Sequence, residues 1–152
     1  MDLSTLLSPD CTRSAVDGSS KKKVLELIGQ LAAPRLSGTT SFDVFESLLN
    51  RERLGSTGIG MGVAIPHGRL ATANKPVAVL LTLADPIDFD AIDNQPVDII
   101  FALLVPEDEH EAHLQTLAAV AQRLNDKSCT RALRDADGDK ELFKIFTQDT
   151  DS

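Results

Sequence analysis

One histidine, His67, stands between Pro66 and Gly68, at the end of a run in which Gly55, Gly58, Gly60 and Gly62 recur every two or three residues. The chain has only three histidines, and this one sits where the backbone is conformationally special. An imidazole with a pKa near 6.5 carries an available lone pair at neutral pH, so it can accept a phosphoryl group without a separate base. It needs one ring nitrogen oriented, usually by a hydrogen bond to the other, and donors for the anionic oxygens. The neighbourhood offers both. The glycines, Gly68 included, permit positive φ and close approach to a ligand, and successive amides in such turns can bind anions. Ser56 and Thr57 add hydroxyl donors, and Arg51, 16 residues before His67, has the planar fork that suits phosphate. A plain turn in a tight glycine loop is the alternative reading of the same residues, and it stays open at this point. The run is not a dinucleotide fingerprint, since no clear strand precedes it and no clear helix follows, and no Lys-Ser or Lys-Thr ends it as a Walker A loop requires.

The other two histidines form His110-Glu-Ala-His113. Their spacing can bring both to one helix face as metal ligands, but no third ligand is fixed by motif. Alternatively His113, opening a long helix after a buried strand, points into the same pocket as His67, where functional groups of α/β domains gather. His110 is then simply exposed.

The elements that must hold these groups are legible in part. Ser19 or Ser20 caps a helix to about Ala33, with Val24, Leu27, Ile28 and Leu31 at helical spacing. Lys21, Lys22 and Lys23 in its first turn read as a solvated face, with a docking patch as the sharper alternative. A second helix starts near Thr40 or Ser41, with Phe42, Phe45, Leu48 and Leu49 as its apolar stripe and Arg51 and Arg53 in its last turn. Residues 11–16 are a weak strand candidate. Val77–Leu83 and Val97–Val105 read as strands, the second apolar enough to be buried on both faces. Glu107–Asn125 is the strongest helix, with Leu114, Leu117, Ala118, Ala121 and Leu124 at the 3, 4, 7 spacing. One or two shorter helices follow, near 128–135 and 138–147. The pattern predicts an α/β (α+β) fold, a central sheet flanked by helices, as a single domain over residues 1–152.

Composition bounds the function. A net charge of −8 argues against a general nucleic-acid binder. Cys11 and Cys129 fit no metal spacing and read as two free thiols in a reducing cytosol, with a disulfide as the alternative. The N-terminus lacks the features of a signal peptide, and the longest apolar run, Ile99 to Val105, is too short to span a bilayer. A soluble, cytoplasmic protein is expected.

Three segments carry a family resemblance: Leu54-Gly-Ser-Thr-Gly-Ile-Gly-Met-Gly-Val-Ala-Ile-Pro-His-Gly68, Phe89-Asp-Ala-Ile-Asp-Asn-Gln-Pro-Val-Asp98, and Phe101-Ala-Leu-Leu-Val-Pro106 with His113-Leu-Gln-Thr-Leu117. They resemble the enzyme IIA component of the bacterial phosphotransferase system, fructose/mannitol class, and within it the nitrogen-regulatory branch. The resemblance implies a mixed sheet sandwiched by helices. It implies phosphorylation of His67, a supporting role for Arg51 and a second active-site histidine at His113. The implied donor is an HPr-like phosphocarrier of the nitrogen branch, and the implied output is regulation of partners such as sensor kinases or potassium transport proteins. No cofactor and no metal are expected, because the arginine and backbone amides can stabilise the transferring group. The alternative is a sugar-transport enzyme IIA passing phosphate to a IIB domain, which the absence of a IIB segment disfavours. Met61 stands where a polar residue, commonly Asn, is expected, at the expected mouth of the pocket. Glu107, Asp108, Glu109 and Glu111 crowd His113 and are expected to point into solvent.

Overall fold

The computed structural model describes residues 3–148. Its frame is a six-stranded mixed sheet. At the centre, β5 (Val77–Ile87) and β6 (Val97–Pro106) run antiparallel, with Leu80 opposite Phe101. Residues 77–83 and nearly all of β6 are buried, so helices cover both faces, as the continuous apolar runs predict. β1 (Leu7–Val16) pairs in parallel with β5 at one edge. It begins earlier than the expected 11–16: its first half holds Pro9, Asp10 and a register shift between Leu7 and Thr12, irregularities that an edge strand tolerates and that hide the strand's start from its residue pattern.

Part of the glycine run, Gly58–Gly60, is strand rather than loop and lies on the far side of the sheet, with a turn at Met61 and Gly62. β2 (Gly58–Gly60) and β3 (Val63–Ala64) form a hairpin, and β3 runs parallel to β6. β4 (His67–Leu70) also runs parallel to β6, with His67 opposite Leu103. Strands of two to four residues are too short to show a period of two, so periodicity could not find them.

Five α-helices complete the described residues. α1 (Lys21–Ala32) is capped by the Ser20 side chain, which accepts from the Lys23 amide at 3.2 Å. α2 (Ser41–Glu52) starts with a reciprocal box: Thr40 accepts from the Asp43 amide, and Asp43 from the Thr40 amide, at 3.1 and 3.0 Å. The expected α2 stripe needs correction. Val44, Leu48 and Glu52 are buried and Phe45 and Leu49 half-buried, whereas Phe42 is 62% exposed. This rotation turns the helix towards β4, where a Cβ on Gly68 would collide with the Ser47 side chain and lie 3.2 Å from its backbone carbon. Only glycine lets the two elements meet that closely.

α3 (His110–Leu124) is likewise rotated from its expected face. His113, Thr116, Val120 and Leu124 are buried, while Ala118 is exposed and Leu114 is 52% exposed. The true stripe contains polar residues, which a count of apolar positions passes over. α4 (Lys127–Arg134) and α5 (Asp139–Gln148) lie near the expected positions, and Phe146 of α5 stacks on Phe101 of β6 at 5.2 Å. Phe89, Phe101, Phe146 and the aliphatics of β5 and β6 belong to one continuous core. Each fully buried Leu, Ile or Phe side chain contributes about 1.5–3 kcal/mol. Cys11 and Cys129 are both buried and lie in no disulfide.

Candidate active site

His67 opens β4, so the ladder to β6 fixes its backbone. Its Nδ1 lies 2.9 Å from the Ile65 carbonyl oxygen. A carbonyl only accepts, so Nδ1 carries the hydrogen and the lone pair resides on Nε2. Arg51, in the last turn of α2, donates from Nε to that Nε2 at 3.2 Å, and its Nη1 donates to the Gly55 carbonyl at 2.9 Å. The imidazole is therefore locked in one tautomer, with its nucleophilic nitrogen facing a guanidinium.

Burial pushes the His67 pKa below the ordinary 6.5, and the Arg51 charge pushes it the same way, against the raising effect of the Ile65 bond. The ring is thus neutral at pH 7. Because the folded value is depressed, the unfolded chain binds more protons between the two values. The resulting stability is complete above about pH 6.5 and is lost as pH falls through the lowered value. An NMR titration of the His67 ring is expected to show a midpoint below 6.5. A midpoint at or above that value contradicts this electrostatic account.

His113, in the first turn of α3, is 6% exposed, and its ring centroid lies 5.2 Å from that of His67. Arg51, His67, Gly68 and His113 line one cleft of about 750 Å3 between α2, β4 and α3, with Ser47, Asn50 and Arg69 among the other walls. Exposed Leu54 and Leu114 stand on its rim. Glu107, Asp108, Glu109 and Glu111 are exposed, as expected. The side chain of His110, expected either as a metal ligand or as an exposed residue, lies outside the described residues. Among the described residues no three His, Cys, Asp or Glu side chains stand together as a metal site.

The two hydroxyls expected to bind phosphate are directed elsewhere. Ser56 Oγ donates to the Phe89 carbonyl at 2.7 Å and accepts from the Gly58 amide at 3.0 Å. Thr57 is buried, with its amide and hydroxyl both donating to the Glu52 carboxylate. Neither residue lines the cleft. Lys21, read as part of a solvated run, instead places Nζ 2.8 Å from Glu52, while Lys22 and Lys23 are exposed. Sequence reasoning missed Glu52 altogether. Its signal was positional: it follows Val44 and Leu48 at i+4 on the buried face of α2.

Met61 is not at the cleft mouth either. It sits in the β2–β3 turn at φ +59°, between Gly60 at +100° and Gly62 at +80°. Its amide donates to Asp93 at 3.0 Å. A left-handed residue is favoured as Gly or Asn, which accounts for an Asn being expected there. Met61→Asn should raise stability by about 0.5–1 kcal/mol, read as a higher urea midpoint; a lower midpoint would refute the argument.

The family described as phosphoenolpyruvate-dependent sugar phosphotransferase system, EIIA 2, matches residues 5–149. The chain belongs to this EIIA family. Within it, the chain is similar to the nitrogen regulatory protein of Klebsiella oxytoca, with 54% identity over 149 residues covering 97% of this chain and 91% of that one. It is 53% identical to the nitrogen regulatory protein of Escherichia coli K12 over 148 residues, covering 97% and 90%. The crystal structure of nitrogen regulatory protein IIA-Ntr from Neisseria meningitidis superposes with a TM-score of 0.89 at 37% identity, over 95% of this chain and 99% of that one. The IIA mannitol structure from Escherichia coli shares the fold, with a TM-score of 0.70 at 17% identity over 86% and 92%. The mixed sheet flanked by helices is thus the EIIA fold. Among the described residues, no helix of this EIIA is long and apolar enough to cross a membrane.

Proposed function

We propose that this EIIA accepts a phosphoryl group on His67 Nε2 from the phosphohistidine of an HPr-like carrier of the nitrogen branch, and that its phosphorylation state regulates partner proteins. The observation that carries the reading is the Ile65 carbonyl on Nδ1, which leaves the Nε2 lone pair facing the cleft beside Arg51. In the transfer, that lone pair attacks phosphorus in line while the carrier's P–N bond breaks and its electron pair returns to the carrier imidazole. The Nδ1–H bond to Ile65 is kept throughout. Arg51 gives up its hydrogen bond to Nε2 and donates to the oxygens of the arriving group. His113, one ring away, holds the product. Such a reaction needs mostly positioning and charge stabilisation. The nitrogen regulatory relatives favour a signalling output over transfer to a IIB domain.

His67→Ala tests the acceptor. Intact mass after incubation with phosphoenolpyruvate, enzyme I and the nitrogen-branch carrier should show one added phosphoryl group on the wild type and none on the variant. Uptake by a folded His67→Ala protein would overturn the proposal. A pull-down with and without phosphorylation tests the output: capture of a IIB domain would replace regulation with transport.

A further inference from the structure

Glu52 ends α2 one residue after Arg51, and its side chain is only 3% exposed. A buried carboxylate is unfavourable unless it is paired and hydrogen-bonded. Here it is both. Lys21 Nζ lies 2.8 Å from Oε1, and the Thr57 amide donates to the same oxygen at 3.2 Å. The Thr57 hydroxyl donates to Oε2. Lys21 is itself held, since its ammonium lies 4.7 Å from the centroid of the Phe89 ring and donates to the Phe89 carbonyl at 3.4 Å.

These contacts join the two ends of the 52–57 segment. Inside it lies Gly55, at φ +149°, whose amide donates to the Glu52 carbonyl at 3.1 Å and whose own carbonyl accepts from Arg51 Nη1. Ser56 pins the same loop to the Phe89 carbonyl. The guanidinium is thus gripped at one end by the loop, while its Nε meets His67. An arginine side chain has much rotational freedom to lose, and a fixed acceptor on one nitrogen sets the direction of the others.

We propose that Glu52 is a positioning residue for phosphoryl transfer: its carboxylate, neutralised by Lys21, ties Thr57 to the end of α2 and so holds the Gly55 carbonyl where it aims Arg51 at His67 Nε2. The inference rests on the reading of His67 as the acceptor. It gives the buried Thr57 hydroxyl a role in the site without contact to phosphate. It also explains why a glutamate occupies a position of α2 that is otherwise apolar.

The test uses Thr57→Val, which keeps volume and removes only the hydroxyl, and Glu52→Gln, which keeps an acceptor for the Thr57 amide. Both variants and the wild type are checked for cooperative unfolding. Single-turnover transfer from the phosphorylated nitrogen-branch carrier is followed by intact mass. In Thr57→Val the maximal rate should fall roughly tenfold, with the half-saturating carrier concentration unchanged, because misalignment of a positioned group acts on the reacting geometry. Glu52→Gln should lose part of the rate, less than Thr57→Val, because its oxygen still accepts from the Thr57 amide while the charge paired with Lys21 is gone. In parallel, NMR of the unphosphorylated proteins should show the Arg51 Nε–H signal displaced and the His67 midpoint raised in Thr57→Val, two changes that a purely structural role would not produce. Wild-type rates and an unaltered His67 titration in a folded Thr57→Val protein would overturn the inference. So would a changed carrier requirement at an unchanged maximal rate. If the wild type itself takes up no phosphate, the acceptor reading fails, and the NMR readout alone still decides whether Glu52 and Thr57 aim Arg51.

Discussion

Arg51→Ala is expected to slow phosphoryl transfer to His67 by about 10²–10³-fold, the usual consequence of removing one preorganised donor from a developing charge. The fold should survive, because the side chain is only half-buried and its two bonds go to His67 and Gly55 rather than into the core. Arg51→Lys keeps the charge but not the planar fork, so it should recover only part of the rate. Losing the guanidinium also removes one of the two influences that depress the His67 pKa, so the acid limb of the rate profile should move to higher pH in Arg51→Ala. Rapid-quench kinetics read by intact mass check both points. Wild-type kinetics in Arg51→Ala would remove the residue from the mechanism.

The largest effect on stability is expected at Glu52. Glu52→Ala leaves the Lys21 ammonium, 21% exposed, with only the exposed Asp90 carboxylate, 3.9 Å away, as counter-charge, and strips the buried Thr57 amide and hydroxyl of their acceptor. Breaking such a pair by removing one partner costs about 3 kcal/mol, with some relief because Lys21 can reach water. Glu46, exposed on the same helix, is the control, and its replacement by Ala should stay within about 0.5 kcal/mol of the wild type. Urea unfolding at constant slope measures both. A loss below about 1 kcal/mol for Glu52→Ala would show that the pair contributes little net stability.

The sequence exposed the strands with long apolar runs, the helix caps and the three residues that converge on the cleft. Those features are local or strongly patterned. Ser20 and Thr40 announce helices α1 and α2, and Val97–Pro106 announces a strand buried on both faces. What it did not reveal depends on tertiary contact. The hairpin of β2 and β3 is built from glycines and a left-handed Met61, which read as loop until they pair with β6. The buried faces of α2 and α3 differ from their apolar stripes because each buries polar groups, Glu52 on one and His113 and Thr116 on the other. For the same reason Ser56 and Thr57 read as phosphate donors: side-chain type shows that a hydroxyl can donate, but only the fold shows that Phe89 and Glu52 receive the hydrogen bonds.

The central claim is that Nε2 of His67 is the phosphoryl acceptor. The measurement that tests it most directly is 15N-resolved NMR of the histidine rings after enzymatic phosphorylation. Phosphate on Nε2 of His67, with Nδ1 still protonated and hydrogen-bonded to Ile65, is the predicted result. Phosphate on Nδ1 of His67, or on His113, would contradict the account.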